Sequence, residues 1–213
     1  MANWNIENVE KKLEEAFKND SEIELLALLK DNTFLFSELV SRQFSVQPIF
    51  REVSFAGELR CDFAWLNDNS DGPEWVIVEI ERPKMRLFST NGKPGQELNA
   101  ALDQVKSWDR YFYSNPAEKI RIFGAVAKFR FILVAGSIAE WQEKEPTVWR
   151  STESDRTKIE IRSTDVFWKA LEMYKKHPEG FWSFAEHPST YPGTNLRKYW
   201  ENYGYMNQMR LRF

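Results

Sequence analysis

Two carboxylates close an apolar run in the stretch WVIVEIERPK: Glu79 and Glu81, separated by Ile80. Side chains of an extended strand alternate faces, so the two acids point one way and Ile80 the other. Asp62, in the apolar segment LRCDFAWL, lies out of phase with Cys61 and Phe63 and falls beside Glu79 if the two segments pair. Carboxylates gathered at a strand end repel one another unless a cation neutralises them or they reach water. Hard oxygen donors of this kind favour Mg²⁺ or Mn²⁺ over Zn²⁺, and Mg²⁺ keeps waters that leave room for a phosphate. From Arg82 to Gln96 the chain carries Arg82, Lys84, Arg86 and Lys93 and no anion. A basic loop after an acidic cluster suits a phosphodiester: a metal at the scissile phosphate, cations on its neighbours. The plainer reading is a strand end with solvated acids and a salt-bridging loop, and spacing alone leaves both open.

No rival chemistry gathers elsewhere. His177 closes a helix and His187 sits in EHPSTYP, so both read as loop or cap residues. There is no G-x-S-x-G elbow and no His-rich metal spacing, and NGKPG lacks the order of a phosphate-binding loop. Cys61 is the only cysteine, which excludes an internal disulfide and a cysteine zinc cage. Alternation turns it away from Asp62, as a small buried residue. Glu38 in FSELVS is a further candidate acid, more simply a solvated helix residue, and Glu58 at the Gly57 turn reads as surface. The net charge of −3 over 213 residues argues against a surface coated for non-specific nucleic-acid binding, though not against a local basic patch. Without an apolar run of membrane-span length or a signal-like N-terminus, a cytoplasmic chain with no membrane partner is expected.

The elements that hold these residues are legible from periodicity. Ile6, Val9, Leu13 and Phe17 stripe one helix, Ser21 caps a second in EIELLALLKD, and TFLFSELVSRQF predicts a third. SVQPIFREVSF and LRCDFAWL read as a hairpin turning at Gly57, with WVIVEIE as a third strand buried on both faces. Helical spacing returns from Gln96 to Tyr113, where Glu97, Ala101, Gln104, Trp108 and Tyr111 form a strip beside the apolar face, a placement that suits Gln104 pointing toward the sheet end and equally an ordinary boundary glutamine. FRFILVAGS and KIEIRST predict two more strands around a polar connection, and TDVFWKALEMYKKH a helix. The tail is predicted to hold a short helix in TNLRKYWENYG and a strand in MNQMRLRF. Its aromatics (Trp182, Tyr191, Tyr199, Trp200, Tyr203, Tyr205) suit core packing, a subunit interface or stacking on unpaired bases. The fold class is α/β (α+β), a central mixed sheet flanked by helices. The expected division is a helical segment over 1–45, a core domain over 46–177 and an aromatic-rich extension over 178–213.

CDFAW, WVIVEIERP, LF followed by NGKPGQELNAALDQVKSWDRYF, FILVAGS and KIEIRSTDVFWKAL, taken in order from roughly Ser54 to Tyr174, resemble the catalytic domain of the Shedu family. These are bacterial anti-phage defence nucleases with the PD-(D/E)xK, restriction-endonuclease-like fold. The resemblance implies that Asp62 is the motif's aspartate, with Cys61 where proline is usual, and that Glu79 is its second acid. Together with the Ile80 backbone carbonyl they would hold Mg²⁺ or Mn²⁺. Glu81 stands where the motif's lysine is expected, a place where some enzymes of the superfamily use Glu as base or metal ligand. Gln104 matches a glutamine on the helix packed against the sheet. The implied function is a metal-dependent endonuclease on DNA, with Asp62, Glu79, Glu81 and Gln104 catalytic and Arg82, Lys84 and Arg86 on substrate phosphates. A homo-oligomer is the expected assembly. The alternatives are a nuclease-fold module that has lost catalysis and binds nucleic acid or a protein, and a scaffold acting through its aromatic tail.

Overall fold

In the computed structural model, which describes residues 4–41, 45–57 and 59–212, the first two helices follow their apolar spacing. Helix α1 (Ile6–Lys18) buries Val9, Leu13 and Ala16, and the Asn5 side chain caps it by accepting from the Asn8 amide. Helix α2 (Glu22–Lys30) is capped by Ser21, whose hydroxyl accepts from the Glu24 amide at 3.2 Å. Between them Asp20 takes a left-handed backbone, φ 51°, which Asp tolerates better than most residues. The helix expected from Thr33 is instead one 3-10 turn, Thr33–Phe36, with all four residues buried. Such a segment has no polar face to turn toward water and serves as a core plug. Residues 42–44 of that expectation, and Glu58, lie outside the described residues.

Strands β1 (Phe50–Ala56), β2 (Leu59–Asn69) and β3 (Gly72–Ile80) pair antiparallel in succession. Gly57 turns the first hairpin with φ 55°. Helices α3 (Gln96–Ser114) and α4 (Pro116–Phe123) then carry the chain back so that β4 (Lys128–Val134) lies parallel to β3. A second crossover, α5 (Ile138–Trp141) and α6 (Lys144–Thr157), sets β5 (Ile159–Arg162) parallel to β4. Helix α7 (Val166–Lys176) and α8 (Trp182–Ala185) follow. A two-residue strand β6 (Tyr191–Pro192) pairs with β1, giving the order β5-β4-β3-β2-β1-β6. The chain closes with α9 (Leu196–Asn202) and α10 (Gly204–Met209), so where a terminal strand is expected in MNQMRLRF its first four residues end a helix that buries Met206 and Met209, and Phe213 lies outside the described residues. The fold is therefore mixed α/β, a six-stranded mixed sheet flanked by helices. No helix among the described residues is long and apolar enough to cross a membrane.

The sheet is buried on both faces. Phe63, Trp65, Val76, Val78, Ile80, Ile132 and Val134 pack with α1, α2, the 33–39 segment and α7. Ala64, Leu66, Trp75, Ile77 and Leu133 pack on the other side with α3, α4, α9 and α10. Asp62, Glu79 and Glu81 continue the phase of this second face, so they sit under α3. Cys61 is buried in the α3-side cluster as well, where strict alternation would have turned it away. Glu52, between the paired positions Arg51 and Val53, has φ 54°, and this left-handed residue breaks the alternation across the hairpin.

Candidate active site

β2 and β3 bring Asp62 and Glu79 together as neighbours. Phe63 pairs with Val78, where the pairing of the two strands ends, and Asp62 and Glu79 follow next on each, close enough for the Asp62 charge to act on Glu79. The Ile80 amide donates to Asp62 Oδ2 at 2.8 Å, which fixes the carboxylate against the strand and leaves Oδ1 without that bond. Gln104, from the middle of α3, donates its side-chain amide to Glu79 Oε1. Glu79 is 8% exposed, and its Oε2 is buried with no hydrogen-bond partner among the described residues. A buried acceptor left bare costs about 1–3 kcal/mol, more when charged, so this oxygen marks a place where a partner belongs. Glu81 is partly buried one residue past the end of β3, with its amide donating to Val134 O at 2.8 Å.

The electrostatics are those of acids whose burial and mutual repulsion outweigh the groups that stabilise their charge. Burial raises the Asp62 carboxyl to about 7, against the pull of the Ile80 amide; Glu22, among other groups, raises it further and Arg60 lowers it. Burial also raises Glu79 well above the carboxylate range, and the charges of Asp62, Glu81 and Glu22 add to it. Glu81 rises to about 7, first through burial and then through Glu22, Asp62 and Glu97, against the pull of Arg82. Three acids pushed up together are what a missing positive charge produces.

Glu22 and Arg60 are absent from the sequence-based site. Glu22 opens α2, and its own carboxyl is raised by burial. The signal was out of reach: Glu22 lies 40 residues before Asp62, and only folding of the N-terminal helices against the sheet brings its charge to the cluster. Glu38, the helix acid considered from sequence, is partly buried after the 3-10 turn.

The basic loop is less free than its composition suggests. The Arg82 guanidinium bridges Asp20 Oδ2 on one side and both oxygens of Glu97 at 2.8 Å on the other. Asp20 Oδ1 accepts from the Lys84 amide at 2.5 Å, so one aspartate pins the α1–α2 corner to the exit of β3. Lys84 is exposed, its Nζ donating to Lys18 O at 3.3 Å, and the exposed Arg86 donates through Nε to Phe88 O at 3.0 Å. Lys93 is exposed in the following loop.

The donor set fits a hard divalent cation in chemistry. Asp62 and Glu79 supply carboxylate oxygen, one of them buried and bare, and burial with mutual repulsion raises both carboxyls. Among the described residues no three His, Cys, Asp or Glu side chains gather closely enough to cage an ion by themselves.

The family model described as Shedu protein SduA, C-terminal, matches residues 19–167, a span holding Glu22 and every site residue above. No curated protein matches the chain at a significant level.

Proposed function

The chain belongs to the Shedu SduA C-terminal family, and from that premise we propose that it is a metal-dependent endonuclease hydrolysing DNA phosphodiester bonds. Membership itself implies a part in anti-phage defence. The observation that carries the nuclease reading is the buried, unpartnered oxygen of Glu79 inside a cluster of acids with raised pKa values.

Each residue then has a task. Gln104 holds one Glu79 oxygen so that the other stays aimed into the site. The Ile80 amide does the same for Asp62. Bound Mg²⁺ or Mn²⁺, held by Asp62, Glu79 and the Ile80 carbonyl, would supply Lewis acidity at the scissile phosphate and lower the pKa of the attacking water. Glu81, with a carboxyl near neutrality, is matched to take the proton of that water. Lys84 and Arg86 would contact neighbouring phosphates, and Arg82 joins them only by exchanging Asp20 or Glu97 for substrate.

The decisive test is nicking of supercoiled plasmid with Mg²⁺ or Mn²⁺. Glu79→Ala is expected to abolish cleavage while circular dichroism stays unchanged; undiminished cleavage by the variant overturns the assignment. A second reading has its own observation: Glu81 replaces the motif's lysine, and the nearest loop cation, Arg82, is spent on Asp20 and Glu97. On that reading the fold binds nucleic acid or a protein without cutting. Calorimetric titration with Mn²⁺ separates the two, since only the enzyme requires an ion at Asp62 and Glu79.

A further inference from the structure

At the outer edge of the sheet, where β6 lies beside β1, Tyr191, Tyr199 and Tyr203 stand around the buried ring of Phe50 and enclose an open pocket of about 460 Å³. Pockets of this size take one small molecule. The three phenols are tied up by hydrogen bonds. Tyr199 Oη donates to Gln47 Oε1 at 2.7 Å, and Tyr203 Oη donates to Asp68 Oδ2 at 2.6 Å while accepting from Gln47 Nε2 at 3.1 Å. Tyr191 Oη bonds His187 Nδ1 at 3.2 Å. With the hydroxyls anchored, the rings are fixed walls that offer mainly carbon to a ligand. Phe50 and Tyr199 have ring centres 5.2 Å apart, and Tyr199 and Tyr203 are stacked at 5.5 Å.

The rim decides what such a pocket accepts. Asn195 and Lys198 line it, both exposed, and among the described residues no carboxylate lines it, Asp68 lying behind the Tyr203 hydroxyl that it accepts from. Aromatic walls alone would also suit a quaternary ammonium, but the Lys198 charge repels one. A flat ring carrying an anionic group meets every feature. We propose that this pocket takes an unpaired nucleotide, its base stacked on the tyrosine walls, the base edge on the Asn195 amide and the phosphate on Lys198. Phe50 pairs with Ala64, two residues along β2 from Asp62, so the pocket floor is one strand over and about 7 Å along from the acidic site. The proposal rests on the nuclease reading for why a nucleotide is delivered there.

Isothermal titration of the full chain in EDTA with dAMP, adenosine and deoxyribose 5-phosphate tests it. dAMP is expected to bind, adenosine more weakly, and the sugar phosphate not measurably. Tyr191→Ala, on an exposed wall, should weaken dAMP by about tenfold or more while Tyr191→Phe retains it. Lys198→Ala should remove the preference for dAMP over adenosine. Glu79→Ala should bind dAMP like the native chain, so loss of the nuclease reading and loss of this one are told apart. Absence of dAMP binding, or equal binding by Tyr191→Ala, overturns the proposal. So does a Tyr191→Ala variant that changes from self-associated to monomeric with dAMP binding untouched, which would make this face a contact between copies.

Discussion

Glu79 is where the sheet gives up stability for the site, because an acid buried between strands without a counter-charge opposes folding. Glu79→Gln keeps the shape and removes that charge. We therefore expect a higher melting temperature than the native chain in EDTA at about pH 8, together with loss of plasmid nicking. Gln104 acts through Glu79 rather than on substrate. Gln104→Ala bares the second buried Glu79 oxygen, so it should lower the melting temperature of the metal-free chain, a loss of about 1–3 kcal/mol of stability, and weaken Mn²⁺ affinity by about 10- to 100-fold in a calorimetric titration. Asp62 and Glu81 titrate near 7 in the fold, against roughly 3.9 and 4.3 in an unfolded chain. Between those values the folded state keeps protons that the unfolded state has released, so their contribution to stability is greatest at low pH. It fades as pH rises and is gone once pH passes about 7. The metal-free chain should thus melt lower at about pH 8 than at about pH 5, and the Asp62→Asn, Glu81→Gln double variant should shrink that difference. An equal pH dependence in the double variant would refute the assignment of the raised values. The acids themselves were legible from the two-residue period of strands, but their neighbour Glu22 was not, since a helix start 40 residues earlier carries no local mark of where it will pack.

The α1–α2 corner is the element that completes the site. Asp20 binds Arg82 through one oxygen and the Lys84 amide through the other, and its backbone sits in the left-handed region. Asp20→Ala loses both bonds and strains the backbone, so urea unfolding should show a loss of about 2 kcal/mol. Asp20→Gly loses the same bonds without the strain and should lose less; the reverse order would show that the left-handed turn carries no cost. Where amphipathic or alternating patterns were strong, the elements could be read in advance: β1 to β5, α3 and α7 lie where their spacing put them. α6 was taken for a polar connection because KEPTVWRSTESDRT has no apolar stripe; it buries Pro146 and Glu153, the latter held by Lys106 and Arg156. The turn at Thr33–Phe36 and the helix α10 misled for the opposite reason. Short apolar or alternating runs fit several structures equally, and burial against the core decides among them.

At the scale of the whole molecule, the C-terminal stretch is bound into both faces of the sheet. Phe181 and Phe184 are buried with α1, α2 and α7, while Leu196, Trp200, Met206 and Met209 are buried with α3 and α4. Polar ties run alongside: the Val46 amide donates to Ser183 Oγ at 2.6 Å, Arg51 to Thr190 O at 2.6 Å, and Trp200 Nε1 to Ile122 O at 2.8 Å. Removing one buried aromatic costs about 3–5 kcal/mol, and a domain has only about 5–15 kcal/mol in total. Deletion of residues 178–213 should therefore give a chain with no cooperative thermal transition; a sharp transition near that of the full chain would refute this. A single contact reports on the same packing. Gly124 has φ 77°, and a Cβ there would sit 2.7 Å from the Trp200 ring. Gly124→Ala should then destabilise by more than about 2 kcal/mol, read by urea unfolding. A tail so deeply built into the core cannot be assigned a binding role by truncation, because activity, assembly and folding would vanish together. Point variants on its exposed wall, Tyr191 and Lys198, leave the buried anchors in place and are the changes that separate recognition from folding.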